Sequence, residues 1–174
     1  VEMNKINKIM DIGTGAGFPG VPLKIAFPHL EACLLDSLKK RVNFLEETFD
    51  LLKLEDITAI HGRAEEFAKN KSYREQYDLC VSRAVSNLAT MSEYCLPYVK
   101  VGGHFISYKS GTVKEELQQA EKAVKILGGK IQDVVYFNLP DSEIQRSLVV
   151  IEKIKTTPGR YPRKAGTPLK EPLA

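Results

Sequence analysis

Residues 9–20 read Ile-Met-Asp-Ile-Gly-Thr-Gly-Ala-Gly-Phe-Pro-Gly, an apolar strand pattern that runs directly into a loop with glycine at positions 13, 15 and 17. Glycine suits a loop whose backbone approaches a ligand closely or must adopt positive φ. An apolar run with a helical pattern, residues 21–27, follows at once. The order strand, glycine turn, helix is typical of the nucleotide-cofactor site of a doubly wound α/β sheet, so this stretch predicts the fold class.

The glycine spacing separates two kinds of cofactor. A dinucleotide site requires G-x-G-x-x-G, but Phe18 occupies the place of its third glycine. The spacing G-x-G-x-G, opened by Asp11, is instead the first motif of S-adenosylmethionine-dependent methyltransferases. A glycine-rich turn in some other α/β protein remains an alternative at this point. We therefore predict that Gly13, Gly15 and Gly17 form the cofactor loop.

The composition is typical of one globular domain. The chain has 174 residues, of which 43% are hydrophobic and 27% charged, and no apolar run approaches the roughly 18 residues that a membrane helix needs. Its three cysteines, Cys33, Cys80 and Cys95, are too far apart to suggest a metal site or a disulfide framework. We predict a cytoplasmic protein that uses neither metal nor membrane. The start, which lacks a methionine, looks like that of a fragment or trimmed chain.

Positive charge is concentrated at the C-terminal end. The formal net charge is +3, yet residues 155–174 alone carry +4 and the remaining residues −1. The cations of this end are Lys155, Arg160, Arg163, Lys164 and Lys170. We predict a methyltransferase domain, residues 1–154, followed by a basic, proline-rich tail, residues 155–174, that meets an anionic partner such as nucleic acid. A solvated terminus is the alternative.

The second predicted strand, residues 31–36, ends in an acid. Asp36 lies nineteen residues beyond Gly17, the distance at which such folds place a carboxylate that binds the adenosine ribose. The alternative is that Asp36 caps the next helix, residues 38–54.

That helix opens with three cations, Lys39, Lys40 and Arg41. Cations at a helix N-terminus oppose the helix dipole, so an approaching anion such as an RNA phosphate would explain them, and a solvated face is the alternative.

Three further strands place polar groups at the same edge of the sheet. Ala64 and Glu65 follow the strand 57–61 and are predicted to bind the adenine, although Glu65 also fits as an acid in a helix's first turn. The fourth predicted strand, residues 77–85, has Arg83 at its exit, and the fifth, residues 103–109, ends at Lys109; a helix is predicted between them at residues 88–99. Arg83 is a candidate for contact with substrate or cofactor, with a structural ion pair as the alternative, and Lys109 is a candidate for contact with the substrate phosphate.

The last third of the chain predicts a helix and two strands. A capping box, Thr112-x-x-Glu115, opens the helix 112–127, and the β-rich runs 131–139 and 148–154 are joined by a short turn. After five strands that alternate with helices, this pair predicts an antiparallel edge. The whole pattern predicts a Rossmann-like class I methyltransferase fold with a seven-stranded, mostly parallel sheet.

Five motifs together resemble the RsmG (GidB) family, bacterial methyltransferases that modify N7 of one guanine in small-subunit (16S) ribosomal RNA. The motifs are the glycine loop with Phe18-Pro19, the run 35–41, Arg63-Ala-Glu65, Ser82-Arg-Ala84, and the tail Arg-Tyr-Pro-Arg-Lys-x-Gly-Thr-Pro of residues 160–168. The resemblance covers about residues 9–172. Members normally carry a helical segment before the first strand, which this chain lacks.

The resemblance implies the cofactor, the partner and the remaining site residues. The cofactor is S-adenosylmethionine, with S-adenosylhomocysteine as product, and the family's contacts fall on Gly13, Phe18, Ala64 and Glu65, with Arg83 lining the site. The partner is 16S ribosomal RNA or a small-subunit particle. From the placement of charge, which the tail motif reinforces, we expect this RNA to be bound by Lys39, Lys40, Arg41, Arg160, Arg163, Lys164 and Lys170. Guanine N7 carries no proton, so no acid or base residue is required. The alternatives are another methylated nucleophile or a non-catalytic cofactor- or RNA-binding module.

Overall fold

The computed structural model describes residues 1–83 and 86–173. Its strands are β1 (Lys8–Ile12), β2 (Glu31–Asp36), β3 (Ile57–His61), β4 (Tyr77–Ser82), β5 (Val99–Ser110), β6 (Gly129–Asn138) and β7 (Gln145–Lys153). They form one seven-stranded sheet in the order β3-β2-β1-β4-β5-β7-β6. Neighbours among β1 to β5 pair in parallel, whereas β7 is antiparallel to both β5 and β6. The predicted mostly parallel sheet with an antiparallel edge is confirmed.

Helices cover both faces of this sheet. They are α1 (Gly20–Ala26), α2 (Lys39–Leu52), α3 (Ala64–Phe67), α4 (Leu88–Cys95), α5 (Lys114–Ile126) and α6 (Thr167–Lys170), with short 3-10 turns at Met3–Lys5 and Leu96–Tyr98. Consecutive strand residues alternate between two cores: Ile9 packs with α1 and α2, and Met10 with α3, α4 and α5. The central strands are buried on both faces, and their sequences are therefore mostly apolar.

Some predicted boundaries differ from the observed ones. β4 ends at Ser82, and Ala84 and Val85, which the prediction included, lie outside the described residues. The predicted helix at 88–99 ends at Cys95, because β5 already pairs with β4 at Val99. The predicted capping box is wrong: α5 has Val113 at its N-cap and no side-chain cap bond.

The basic tail packs on the body of the protein. Tyr161, Pro162 and Pro168 are buried. The guanidinium group of Arg74 donates hydrogen bonds to the backbone oxygens of Thr157 and Tyr161, at 2.8 and 2.9 Å. The tail is therefore tied to the sheet domain through its backbone, while several of its charged side chains stay outside. Among the described residues, no helix has the length and apolarity needed to cross a membrane.

Candidate active site

A cleft of about 160 Å³ opens at the carboxyl ends of the first strands. Parallel α/β sheets bind their ligands at this edge. The lining residues come from the ends of β1 and β2, the turn into α3, and one side of α4: Ile12, Gly13, Leu35, Asp36, Ser37, Gly62, Arg63, Ala64, Glu65, Ser86, Met91 and Tyr94. Four of the eight predicted cofactor residues, Gly13, Asp36, Ala64 and Glu65, thus share one cleft.

Asp11 braces the glycine loop from inside. Its Oδ2 accepts hydrogen bonds from the Thr14 hydroxyl, at 2.7 Å, and from the Gly20 N–H, at 2.9 Å. Its Oδ1 is buried and has no partner among the described residues. Burial raises the pKa of Asp11 to about 6, although the Thr14 and Gly20 bonds and the charge of Arg83 pull the pKa down. The acid of the motif therefore holds the loop's shape.

Asp36 lies in the cleft and connects three segments. Its Oδ2 accepts from the Gly15 N–H at 2.9 Å and from Arg41 at 3.3 Å, and its Oδ1 accepts from the Leu38 N–H at 2.9 Å. Leu38 is the N-cap residue of α2. The helix α2 has no side-chain cap bond, so the alternative that Asp36 caps it is wrong; Asp36 instead fixes the turn before the helix, and the cleft position of its carboxylate agrees with the predicted contact to a ribose.

Gly15 and Gly17 have different surroundings. Both have positive φ, 63° and 94°. A Cβ at Gly15 would meet nothing within 4 Å, whereas a Cβ at Gly17 would lie 2.6 Å from Val21 Cγ2 and 2.9 Å from Leu45 Cδ2. The missing side chain of Gly17 therefore allows α1 and α2 to pack closely, and the cofactor contact of this glycine stays a prediction.

Phe18 and Arg83 form a pair across the point where the strand order reverses, between β1 and β4. The guanidinium carbon of Arg83 lies 5.3 Å from the centroid of the Phe18 ring, which is 49% exposed. A guanidinium over an aromatic face is a favourable cation–π arrangement. The structure thus brings together two predicted residues that are far apart in sequence, at the edge that carries the cleft.

Glu65 and Ala64 begin α3 and line the cleft together. The Ala64 carbonyl accepts a hydrogen bond from the Tyr98 hydroxyl, at 2.7 Å, which fixes the backbone at this point. Glu65 is only 4% exposed, and its Oε1 accepts from the Gly166 N–H of the tail, at 2.9 Å. The predicted adenine-binding residue is therefore also a contact of the C-terminal tail.

Lys109 does not present a free charge to the cleft. Its Nζ donates to Glu116 Oε1 at 2.6 Å and to the Ser86 carbonyl at 2.8 Å, and its side chain is 9% exposed. Glu116 Oε1 also accepts from the Leu88 N–H, at 2.6 Å. Lys109 ties the segment before α4 to β5 and α5, and its contact with the substrate stays a prediction.

Among the tail cations, Arg163 has an internal partner. Its side chain donates three hydrogen bonds of 2.7–3.1 Å to the carboxylate of Glu93, which is fully buried. Arg160, Lys164 and Lys170 are exposed. The guanidinium group of Arg163 neutralises a buried acid, and its contact with RNA stays a prediction that the exposed cations fit better.

The cations at the start of α2 remain at the surface. Lys39 and Lys40 are exposed, and Arg41 is about half exposed while it contacts Asp36. The positions of Lys39 and Lys40 therefore agree with the predicted RNA contact. Arg41 also contacts the carboxylate of Asp36, which lines the cleft.

Sequence reasoning missed the contribution of α4 to the site. Met91 and Tyr94 line the cleft, and Glu93 between them receives the tail. Burial, together with the charges of Glu65 and Glu93, raises the pKa of Tyr94 to about 12, so its hydroxyl stays protonated at neutral pH. One signal was available: Glu93 is the only charged residue in the apolar stretch 88–99.

Comparison with known proteins identifies close relatives over nearly the whole chain. A family model described as GidB, rRNA small subunit methyltransferase G, matches residues 1–149. A Ribosomal RNA small subunit methyltransferase G of Clostridium novyi (strain NT) is 55% identical over 171 residues, which are 98% of this chain and 70% of that protein. The protein of the same name from Lachnoclostridium phytofermentans is 56% identical over 165 residues, 95% of this chain and 68% of the relative.

Solved structures with the same fold are more distant in sequence. The S-adenosylmethionine-dependent methyltransferase SibL in its apo form superposes with a TM-score of 0.65 at 15% identity, covering 88% of this chain and 52% of SibL. P. horikoshii TYW2 in complex with MeSAdo superposes with a TM-score of 0.66 at 15% identity, and the superposition covers 87% of this chain and 60% of TYW2. These similarities confirm the class I methyltransferase fold.

Proposed function

The chain belongs to the GidB family, the rRNA small subunit methyltransferases G, and from this premise we propose that it methylates N7 of a guanine in that RNA. Family membership makes it an S-adenosylmethionine-dependent methyltransferase acting on small-subunit ribosomal RNA. The choice of N7 as the methylated atom goes beyond what family membership gives. It rests on one observation: the carboxylates of the cleft, Asp36 and Glu65, both accept hydrogen bonds from backbone N–H groups.

Carboxylates used in this way hold the backbone in position and are poorly placed to accept a proton from a substrate. Guanine N7 suits such a site because its lone pair is available and it bears no proton to remove. Positioning then dominates the rate, and holding two reactants in line at near-attack distance supplies several kcal/mol. An amino or hydroxyl target would instead have to lose a proton during the reaction.

The residues of the cleft fit S-adenosylmethionine. A carboxylate has about four acceptor positions, and Asp36 uses three, so a ribose hydroxyl can still be bound. Leu35 and Met91 supply apolar walls for a purine, and Ala64 and Glu65 would bind its polar edge. Gly15, where a Cβ would meet nothing within 4 Å, would leave room for the rest of the cofactor, and Gly13 lines the cleft. When bound, the cofactor supplies an electrophilic methyl group on a sulfonium centre.

Phe18 and Arg83 are our candidates for contact with the target base. An exposed aromatic ring and a planar guanidinium group are the surfaces on which unpaired RNA bases stack. The pair stands beside the loop that carries Gly13, so a base stacked there is near the cofactor site.

The RNA backbone is proposed to contact the exposed cations of two segments. Lys39 and Lys40 lie at the start of α2, and Arg160, Lys164 and Lys170 lie on the tail. The partner is 16S ribosomal RNA or a small-subunit particle, which makes the cytoplasm the proposed place of action. Phosphate contacts of this kind supply affinity and position the protein, but carry no sequence information.

The experiment is a methylation assay with the full-length protein and labelled S-adenosylmethionine. Naked ribosomal RNA and assembled small subunits, both unmethylated, are incubated in parallel; the modified nucleoside is identified by chromatography against methylguanosine standards, and its position by mass of ribonuclease fragments. We expect 7-methylguanosine at one position. A methyl group on another atom of the RNA would contradict the N7 proposal while leaving the rRNA methyltransferase assignment intact.

A further inference from the structure

The tail contacts α4 through a buried charge. Arg163 donates its backbone N–H to Glu93 Oε1 at 2.8 Å, and its guanidinium group donates three more bonds to the same carboxylate. Nearby, the Thr90 hydroxyl donates to the Pro168 carbonyl at 2.9 Å. We call residues 163–168 the strap. Because Tyr94 lines the cleft and directly follows Glu93, the strap fixes one wall of the cleft.

The strap also contacts α3, through the carboxylate that lies in the cleft. Glu65 Oε1 accepts the Gly166 N–H at 2.9 Å. Among the residues that the structure describes, its Oε2 accepts no hydrogen bond, and Glu65 lines the cleft. A carboxylate offers two acceptor oxygens, so one can bind the strap while the other binds a ligand. A glutamine would offer a single acceptor oxygen for both donors.

We propose that the strap is a positioning device for cofactor binding: Arg163 and Gly166 hold α4 and Glu65 in the geometry in which Glu65 Oε2 accepts from the adenine amino group. This inference rests on the cleft being the cofactor site. Coupling between two sites is reciprocal, so the docked strap favours cofactor binding and bound cofactor favours the docked strap. A merely structural tail would stabilise the fold without responding to the cofactor.

The first test needs no substitution. Amide hydrogen exchange of the full chain is measured with and without saturating S-adenosylhomocysteine, after binding has been verified by calorimetry. The Gly166 amide should exchange about 5- to 50-fold more slowly in the complex, the range of typical coupling between sites. The Ser142 amide, bonded to Leu139 in the turn between β6 and β7, is the control and should not change.

The second test uses a conservative substitution. Arg163→Lys keeps the positive charge but cannot form the planar fork to Glu93. We expect affinity for S-adenosylhomocysteine to fall about 5- to 50-fold, with KM for S-adenosylmethionine rising and kcat little changed. Lys155→Ala, at an exposed tail residue outside the strap, is the control and should bind S-adenosylhomocysteine within about twofold of wild type.

The exchange measurement decides the outcome even where Arg163→Lys does not fold. An unchanged Gly166 rate in a saturated complex would overturn the inference and leave the tail as a structural element. Failure of the wild-type chain to bind S-adenosylhomocysteine would instead refute the cleft as the cofactor site, and the inference with it. The N7 proposal is tested by the methylation assay, which is a separate experiment. Neither the exchange result nor the binding result can therefore be mistaken for failure of that proposal.

Discussion

Asp11 is a residue whose environment could not be predicted from the motif. The sequence placed an acid before the glycines, but only the structure shows that it is fully buried with Thr14 and Gly20 as donors to one oxygen. Burial favours the neutral form of a carboxyl group. Its pKa therefore rises from 3.8 to about 6, and this shift has a consequence for stability.

We expect Asp11 to make the protein less stable as the pH rises. Because its pKa is higher in the folded protein, the stabilising contribution is complete below about pH 4 and is lost as pH rises through about 6. Two pKa units correspond to roughly 3 kcal/mol. Between pH 4 and pH 7, the free energy of unfolding of wild type, measured with urea, should fall by about that much more than the free energy of unfolding of Asp11→Asn. Equal pH dependence in both proteins would contradict this shift.

The two loop glycines should respond differently to substitution. Gly15→Val places a β-branched residue at positive φ beside open space, so it should reduce S-adenosylhomocysteine affinity at least about tenfold with a modest loss of stability. Gly17→Ala brings a Cβ against Val21 and Leu45, and should reduce the free energy of unfolding by about 2–4 kcal/mol. Calorimetry and urea unfolding of both variants separate the effects. Normal cofactor binding by Gly15→Val would exclude this loop from the site.

Asp36 should contribute directly to cofactor affinity. Asp36→Ala removes an acceptor from the cleft and releases the Gly15 N–H, so binding of S-adenosylhomocysteine should weaken by about 1.5–3 kcal/mol. Arg41→Ala is the matched control, because it removes only the half-exposed partner of this carboxylate and should cost less than about 1 kcal/mol. Calorimetry compares the two. If both variants bind like wild type, Asp36 serves only the loop and α2.

At the scale of helices and strands, local patterns predicted most elements. The strands β2 and β3 have the predicted bounds, because apolar runs between turn residues are a local signal. The start of β5 was missed since its pairing with β4, from Tyr77 to Val99, joins residues distant in sequence. Lys109 and Glu116 are only seven residues apart, but they lie on β5 and α5, and no periodic pattern relates a strand residue to a residue of the next helix, so the sequence did not reveal their pair.

The Lys109–Glu116 pair should matter for turnover more than for cofactor binding. Lys109 and Glu116 bond to the backbone of Ser86 and Leu88, so the pair fixes the segment that enters α4. Lys109→Met should lower stability by about 1–3 kcal/mol and the methylation rate by at least about tenfold, with S-adenosylhomocysteine affinity within twofold. The exposed Lys114→Met is the control. A normal methylation rate in folded Lys109→Met would show that this segment needs no such anchor.

At the scale of the whole molecule, the uneven distribution of charge along the chain indicated a basic tail. It did not indicate which of the tail cations have a partner within the protein. Arg163 and Glu93 are 70 residues apart, and no local pattern links an arginine in a proline-rich tail to an acid in an apolar helix. Only the folded chain shows that the tail is held by backbone contacts and one buried pair. We therefore base the proposed RNA contact of this segment on its exposed cations Arg160, Lys164 and Lys170.

These cations should set the salt dependence of RNA binding. Each phosphate contact contributes about 0.7–0.9 to the slope of log affinity against log salt. Replacing Lys164 and Lys170 together by alanine should therefore lower the slope by about 1.5, with S-adenosylhomocysteine affinity unchanged. The control pair Lys122→Ala and Lys125→Ala removes the same charge from the exposed side of α5. RNA binding is measured at several salt concentrations. An equal loss of slope in both pairs would mean that net charge, and not a tail contact, attracts the RNA.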